Sequence, residues 1–175
     1  EDYLSGLKNN TPVNRLSIGI QSFTDRDLSF LNRRHTAEEG IQSVHRSKKY
    51  GFGNLNVDLI YGIPGMSRRE WQHTLDTFQS LDVPHLSAYH LSIEPKTVFG
   101  HYKKKGMLQA VSEETSREHV EMLMDFADRN GYDHYEISNF AKPGFYSRHN
   151  VGYWTGKPYI GFGPSAHSFL NGLRR

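Results

Sequence analysis

The sequence predicts an α/β protein built around a parallel β-sheet, either an open sheet or part of a barrel. Three apolar segments at residues 14–22, 54–61 and 85–93 read as strands, and helical segments separate them. Capping boxes, Thr36 with Glu39 and Ser67 with Glu70, begin two of those helices. Strand and helix alternating at this spacing favour right-handed crossovers between parallel strands.

The individual elements follow from local signals. Residues 1–10 read as the end of a helix, which stops before Pro12. Two short helices are expected after the first strand, the second ending near Gly51. The second strand is almost continuously apolar in its later half, which is typical of a strand covered on both faces. The next helix runs from Ser67 to about Leu81, and Pro84 precedes the third strand.

The last third of the chain changes character. An amphipathic helix is predicted between Ser112 and Gly131, and a fourth strand over 134–139. From Phe140 onward aromatic residues alternate with glycines and turn residues, which indicates a loop-rich cap. We therefore expect two parts, residues 1–110 with three βα units and residues 111–175 with a helix, a strand and an aromatic extension.

Composition excludes several classes of protein. The 175 residues fit one domain or a large piece of a bigger protein. Lysine and arginine total 21 against 19 acidic residues, and this net charge of +2 argues against nucleic-acid binding. Hydrophobic residues at 36% and aromatics at 13% argue against disorder. Without a run of 18 apolar residues or a charged leader, we expect a soluble, cytoplasmic protein.

Three polar residues interrupt the pattern near strand ends. Asp58 lies inside the apolar run VDLIY, where a carboxylate needs a partner such as a lysine, an arginine or backbone amides. Gln21 ends the first strand, at the edge where parallel sheets bind ligands, although a turn-capping role is common there. Arg33 presents a planar fork for a carboxylate or a phosphate, or is a solvated surface arginine. Together the three describe a site for an amino-acid nucleoside.

A glycine-rich stretch near the end resembles a dinucleotide-binding motif. It reads Gly161-Phe-Gly163-Pro-Ser-Ala166, but only nine residues follow it. That is too few for the helix, strand and acidic residue that complete such a site. We interpret these glycines as positions where the backbone approaches a ligand or another strand closely.

One of the ten histidines stands apart from the others. The ten are scattered, without an i, i+4 pair flanking a helical glutamate, so no zinc site is expected. His149 lies in SRHNVGYW, which places an imidazole, an amide, a phenol and an indole within six residues. This composition suits an axial ligand with aromatic walls for a flat macrocycle. The alternative is a packed or hydrogen-bonded histidine.

Seven segments together resemble a known family. In order they are NRLSIGIQSF, LNRRH, NVDLIYGIPG, HLSAYHLSIEPKT, YEISNFA, SRHNVGYW and YIGFGPSAHS. The chain resembles the radical S-adenosylmethionine (SAM) proteins of the oxygen-independent coproporphyrinogen III oxidase group over nearly its whole length. The pattern at His149, Asn150, Tyr153 and Trp154 is similar to the HemW-like heme chaperone branch.

The resemblance implies a fold and a set of cofactors. The chain would form the C-terminal half of a radical SAM (β/α)6 partial TIM barrel with an α/β extension. The three cysteines that hold the family's 4Fe-4S cluster would lie upstream, because this chain contains no cysteine. The family's C-terminal small domain would also be absent, which makes the chain a fragment. Its open strand edges and an uncovered apolar face lead us to expect self-association.

The resemblance also implies site residues and a function. The SAM contacts would be Gln21, Arg33 and Asp58, with a backbone contact at Ser92. His149 would bind heme, with Asn150, Tyr153 and Trp154 around it; no catalytic residue and no metal ligand is assigned in this chain. The expected function is heme binding and delivery to heme-accepting proteins. The alternatives are oxygen-independent coproporphyrinogen III dehydrogenase, an oxidoreductase of porphyrin biosynthesis acting on propionate side chains, and a structural half-barrel without activity.

Overall fold

The computed structural model describes residues 2–175, which form a mixed five-stranded sheet flanked by helices. The helices are α1 (Asp2–Asn10), α2 (Asp25–Phe30), α3 (Ala37–Lys49), α4 (Arg68–Ser80), α5 (Val98–Lys104), α6 (Glu113–Arg129) and α7 (Arg148–Trp154). The strands are β1 (Arg15–Gln21), β2 (Asn54–Tyr61), β3 (His85–His90), β4 (Asp133–Glu136), β5 (Asn139–Ala141), β6 (Phe169–Leu170) and β7 (Leu173–Arg174). The last two strands form a separate small hairpin.

The main sheet has the strand order β1-β2-β3-β5-β4. The first three strands are parallel neighbours, and their carboxyl ends lie at one edge of the sheet. Helices α2 and α3 follow β1, and α4 follows β2, so strands and helices alternate as predicted. The prediction of an α/β protein with a parallel sheet is confirmed.

Most of the predicted element boundaries agree with the structure. Strand β2 spans 54–61 as expected, and both predicted capping boxes are formed. In each, the hydroxyl of the N-cap residue accepts the N3 amide hydrogen, and the N3 glutamate accepts the N-cap amide hydrogen. The long predicted helix is α6, and the first helix is α1. The predicted first helix began at residue 1, which lies outside the described residues.

The predicted fourth strand over 134–139 is wrong, because this segment is a hairpin. Strands β4 and β5 pair antiparallel, and β5 lies between β4 and β3. Asn139 fixes the turn, since its amide nitrogen donates to Glu136 and its oxygen accepts the Ser87 hydroxyl hydrogen. Neither glycine nor proline marks this turn in the sequence, so the usual hairpin signal is missing.

The two faces of the sheet differ in the polarity of their side chains. Leu55, Val57 and Leu59 of β2 are fully buried in the core, which also contains apolar side chains of α3, α4 and α6. The opposite face carries Ser17, Asn56, Asp58, His85, Ser87 and Asn139. No residue of β2 is exposed on either face, as predicted, but the face opposite the core is polar, so the prediction of an uncovered apolar face is wrong.

Among the described residues, no helix is both long enough and apolar enough to cross a lipid bilayer.

Candidate functional site

The first part of the site is built at the carboxyl end of β1. Gln21 adopts φ 73°, a left-handed conformation that is uncommon for a residue with a side chain, and the pairing with β2 shifts between Gly19 and Gln21. A Cβ atom added to Gly19 would lie 2.7 Å from Gln21 Nε2 and 3.9 Å from Asp58 Oδ2. The absence of a side chain at Gly19 therefore leaves room between the glutamine amide and the carboxylate.

Asp58 lies in the same row of the sheet as Gly19 and Ser87. Its carboxylate accepts a hydrogen bond of 2.7 Å from Asn56 Nδ2 and a weak one of 3.4 Å from the Ser17 hydroxyl. Both partners are neutral side chains, whereas the sequence predicts a lysine, an arginine or backbone amides as the partner of Asp58. Because Asp58 is also half-exposed, its carboxylate has unused acceptor capacity for a ligand that donates hydroxyl groups.

The two other predicted SAM contacts lie at the same edge of the sheet. Arg33 is exposed in the turn between α2 and α3, two residues before His35, whose Nε2 lies 3.0 Å from the Ile20 carbonyl oxygen. Ser92 is exposed just beyond the end of β3. In the described part of the chain, no hydrogen bond joins Arg33 or Ser92 to Gln21 or Asp58. The structure thus brings two of the four residues together and leaves the other two on nearby loops.

Asp58 is hydrogen-bonded to a layer of buried polar side chains on the same face of the sheet. Asn56, His85, Ser87 and Asn139 are each at most 4% exposed and hydrogen-bond to one another. Burial lowers the pKa of His85 to about 3, helped by the charge of Arg15.

Sequence reasoning missed this layer, although a signal was present. Polar residues recur at every second position in both strands, as Asn54, Asn56 and Asp58 in β2 and as His85 and Ser87 in β3. Alternation with a period of two places such residues on one face of a strand.

The second part of the site is α7. The helix begins after Ser147, whose hydroxyl accepts the Asn150 amide hydrogen at 3.3 Å. His149 is exposed, and its ring meets the Tyr153 ring edge-on at 4.7 Å between centroids. In the described residues neither ring nitrogen of His149 has a hydrogen-bond partner, so either nitrogen is available to a metal.

A shallow depression of about 190 Å³ adjoins this imidazole. Its lining includes the cationic residues Arg148 and Lys157, together with Tyr153 and Tyr159. Trp154 ends the helix with an exposed ring, while its indole nitrogen donates to Glu136 Oε2 at 2.9 Å. The imidazole of His149 therefore lies beside a depression lined by aromatic rings and two positive charges.

The glycine-rich segment lies close to another backbone segment, as predicted from the sequence. A Cβ atom on Gly161 would fall 2.3 Å from the His167 carbonyl oxygen, and the Gly161 amide donates to the Ser168 hydroxyl at 3.0 Å. The expected close approach of two backbone segments is confirmed. Phe162 beside it is 88% exposed.

An iron–sulfur cluster does not fit the residues of this chain. There is no cysteine to supply thiolate ligands. Among the described residues, no three histidine, aspartate or glutamate side chains converge to hold a metal ion. His149 is thus a single candidate ligand on a helix surface, separate from any cluster.

Comparisons with known proteins relate the chain to radical SAM proteins. Residues 1–78 match the family model described as the Radical SAM superfamily. The chain is 41% identical over 162 residues to "Heme chaperone HemW" of Lactococcus lactis and also to that of Bacillus subtilis, covering 93% of this chain and 43% of each relative. It therefore spans less than half the length of these relatives.

A solved structure matches the fold. Coproporphyrinogen III oxidase (HemN) from Escherichia coli, described as a radical SAM enzyme, superposes with a TM-score of 0.78 at 24% identity, covering 97% of this chain and 41% of that one. The fold is that of a radical SAM α/β protein. Within that class, the sequence is HemW-like.

Proposed function

We propose that this chain supplies the nucleoside site and the heme site of a heme chaperone. Residues 1–110 provide the edge of the sheet that holds SAM, and residues 111–175 provide the helix that holds heme. The observation that carries the heme assignment is the exposed imidazole of His149, which lacks a hydrogen-bond partner within residues 2–175. A cytoplasmic location stays a prediction.

At the nucleoside end, each residue has a separate task. Asp58 accepts hydrogen bonds from ribose hydroxyls, and the amide of Gln21 contacts the same sugar across the open backbone of Gly19. Arg33 neutralises the amino-acid carboxylate from its exposed turn, and the backbone at Ser92 completes the edge. The 4Fe-4S cluster of the full-length protein and its SAM supply the redox chemistry, while these side chains bind and orient the nucleoside.

At the heme end, His149 serves as an axial ligand. Tyr153 and Trp154 offer ring surface to the macrocycle, and Asn150 lies on the same helix. Arg148 and Lys157 line the adjoining depression, where their charges attract the two propionate groups of heme. Histidine is a common axial ligand of heme iron.

The relatives favour a chaperone over a dehydrogenase. Both proteins at 41% identity are named heme chaperones, whereas the coproporphyrinogen oxidase match at 24% identity shows the fold alone. Heme-accepting proteins are therefore the proposed partners, with a porphyrin substrate as the competing expectation.

Heme titration of the full-length gene product tests this function. We expect a Soret shift on addition of heme, and His149→Ala should weaken binding by about tenfold or more because the axial bond is lost. His73→Ala is a matched control, because His73 is exposed on α4, away from the aromatic segment.

Two outcomes contradict the proposal. One is an unchanged Soret shift and heme affinity in His149→Ala. The other is conversion of coproporphyrinogen III by the reconstituted full-length protein, which assigns the dehydrogenase activity instead.

A further inference from the structure

A continuous chain of hydrogen bonds leads from Asp58 to the start of α7. Asn56 Nδ2 lies 2.7 Å from the Asp58 carboxylate, and Asn56 Oδ1 lies 2.5 Å from His85 Nδ1. His85 Nε2 lies 2.7 Å from the Tyr135 hydroxyl, whose oxygen accepts the Ser147 amide hydrogen at 3.2 Å. Asn56, His85 and Ser147 are buried. The side chains that join the two parts of the site are therefore largely shielded from water.

The donors and acceptors in this chain allow a single arrangement. A carboxylate only accepts, so the amide nitrogen of Asn56 faces Asp58 and its oxygen faces His85. His85 must then donate from Nδ1, and the low pKa of His85 keeps its Nε2 unprotonated and able to accept from Tyr135. The Tyr135 oxygen retains lone pairs for the Ser147 amide.

The same face of the sheet holds the other end of α7. Glu136, next to Tyr135, accepts the Trp154 indole hydrogen at 2.9 Å and is itself bonded to Asn139. Asn139 in turn accepts the Ser87 hydroxyl hydrogen at 2.6 Å. Both ends of the helix that carries His149 are thus fixed to the polar layer below Asp58.

We propose that Tyr135 is a positioning residue that couples the nucleoside site to His149 through Asn56 and His85. This inference rests on the proposed function, because it requires both ligands to bind. Ribose hydroxyls that donate to Asp58 hold Asn56, and through it His85 and Tyr135, in their bonded positions. The helix is then already ordered when heme arrives, and heme binding loses less conformational entropy. Linkage makes the effect reciprocal.

The coupling is measured as the ratio of two heme dissociation constants. Heme is titrated by Soret absorbance into the cluster-loaded full-length gene product, without reductant, with and without saturating SAM. We expect SAM to tighten heme binding by about fivefold or more in the natural protein. Tyr135→Phe should reduce this ratio to about one, since phenylalanine keeps the ring and its stacking on Tyr146 but breaks the chain of hydrogen bonds.

Two further variants complete the test. His85→Gln interrupts the chain one link earlier and should give the same loss of coupling even if Tyr135→Phe folds poorly. Tyr102→Phe, at an exposed position on α5, should keep the full ratio. A natural protein that binds both ligands with a ratio near one, or a Tyr135→Phe protein with an unchanged ratio, overturns the proposal. A missing Soret shift in the natural protein overturns the proposed function itself.

Discussion

Asp27→Ala should lower the free energy of unfolding by about 2–3 kcal/mol, because a fully buried carboxylate is removed from its partners. Asp27 accepts from the Ser22 hydroxyl at 3.0 Å and from the Arg26 guanidinium at 2.6 Å. Arg26 also pairs with Glu70 at 2.7 Å, so the cluster joins the loop after β1 to the start of α4. In this variant Arg26, which is half-exposed, still forms its ion pair with Glu70, and this limits the loss of unfolding free energy.

Urea denaturation at pH 7 measures this effect. Asp27→Asn keeps the shape of the side chain and one hydrogen-bond acceptor. It should therefore lose less unfolding free energy than Asp27→Ala. Asp128→Ala removes an exposed carboxylate on α6 and should stay within about 0.5 kcal/mol of the natural protein. Equal stabilities for Asp27→Ala and Asp128→Ala would contradict the structural role assigned to Asp27.

Acidification from pH 7 to pH 5 should destabilise the protein through two buried histidines. Burial lowers the pKa of His85 to about 3 and also lowers the pKa of His119. Below pH 6.5 the unfolded chain binds a proton at His85, whereas the folded chain binds it only near pH 3, so stability falls as pH falls. The lowered pKa of His119 acts in the same direction. His85 alone accounts for about 2 kcal/mol between pH 7 and pH 5, and the loss continues toward its folded pKa.

Histidine variants separate this effect from other titrations. His85→Gln should flatten the curve of unfolding free energy against pH by about 2 kcal/mol over the same interval. Both ring nitrogens of His119 are buried without a hydrogen-bond partner among the described residues, so His119→Phe should flatten the curve in the same direction. Identical pH dependence in the natural protein and in both variants would show that neither histidine is kept neutral by folding.

Local chemistry made much of the fold predictable. Each of the capping boxes that begin α3 and α4 is formed within four consecutive residues. Glycines and a proline flank β2 in the sequence. The hairpin at β4 and β5 was not predictable in the same way. Its turn is held by Asn139 bonding to Glu136 and to Ser87, and Ser87 is 52 residues away in the sequence.

The candidate site was predictable only in part, for the same reason. Asp58 stood out because a carboxylate interrupts an apolar run. His85 and Tyr135 did not stand out, because a histidine and a tyrosine within strands are ordinary core residues. Their connection depends on the pairing of β2 with β3 and on the position of α7, and these are long-range features of the folded chain.

SAM binding to the cluster-loaded full-length gene product tests most directly whether Asp58 and Gln21 form a nucleoside site. Calorimetric titration of the natural protein, Asp58→Asn, Gln21→Ala and the control Asp128→Ala gives four dissociation constants. We predict that Asp58→Asn weakens binding by about tenfold, or 1.4 kcal/mol, that Gln21→Ala weakens it less, and that Asp128→Ala leaves it unchanged. Equal affinities for the natural protein and a folded Asp58→Asn protein would contradict the assignment of this strand edge as the nucleoside site.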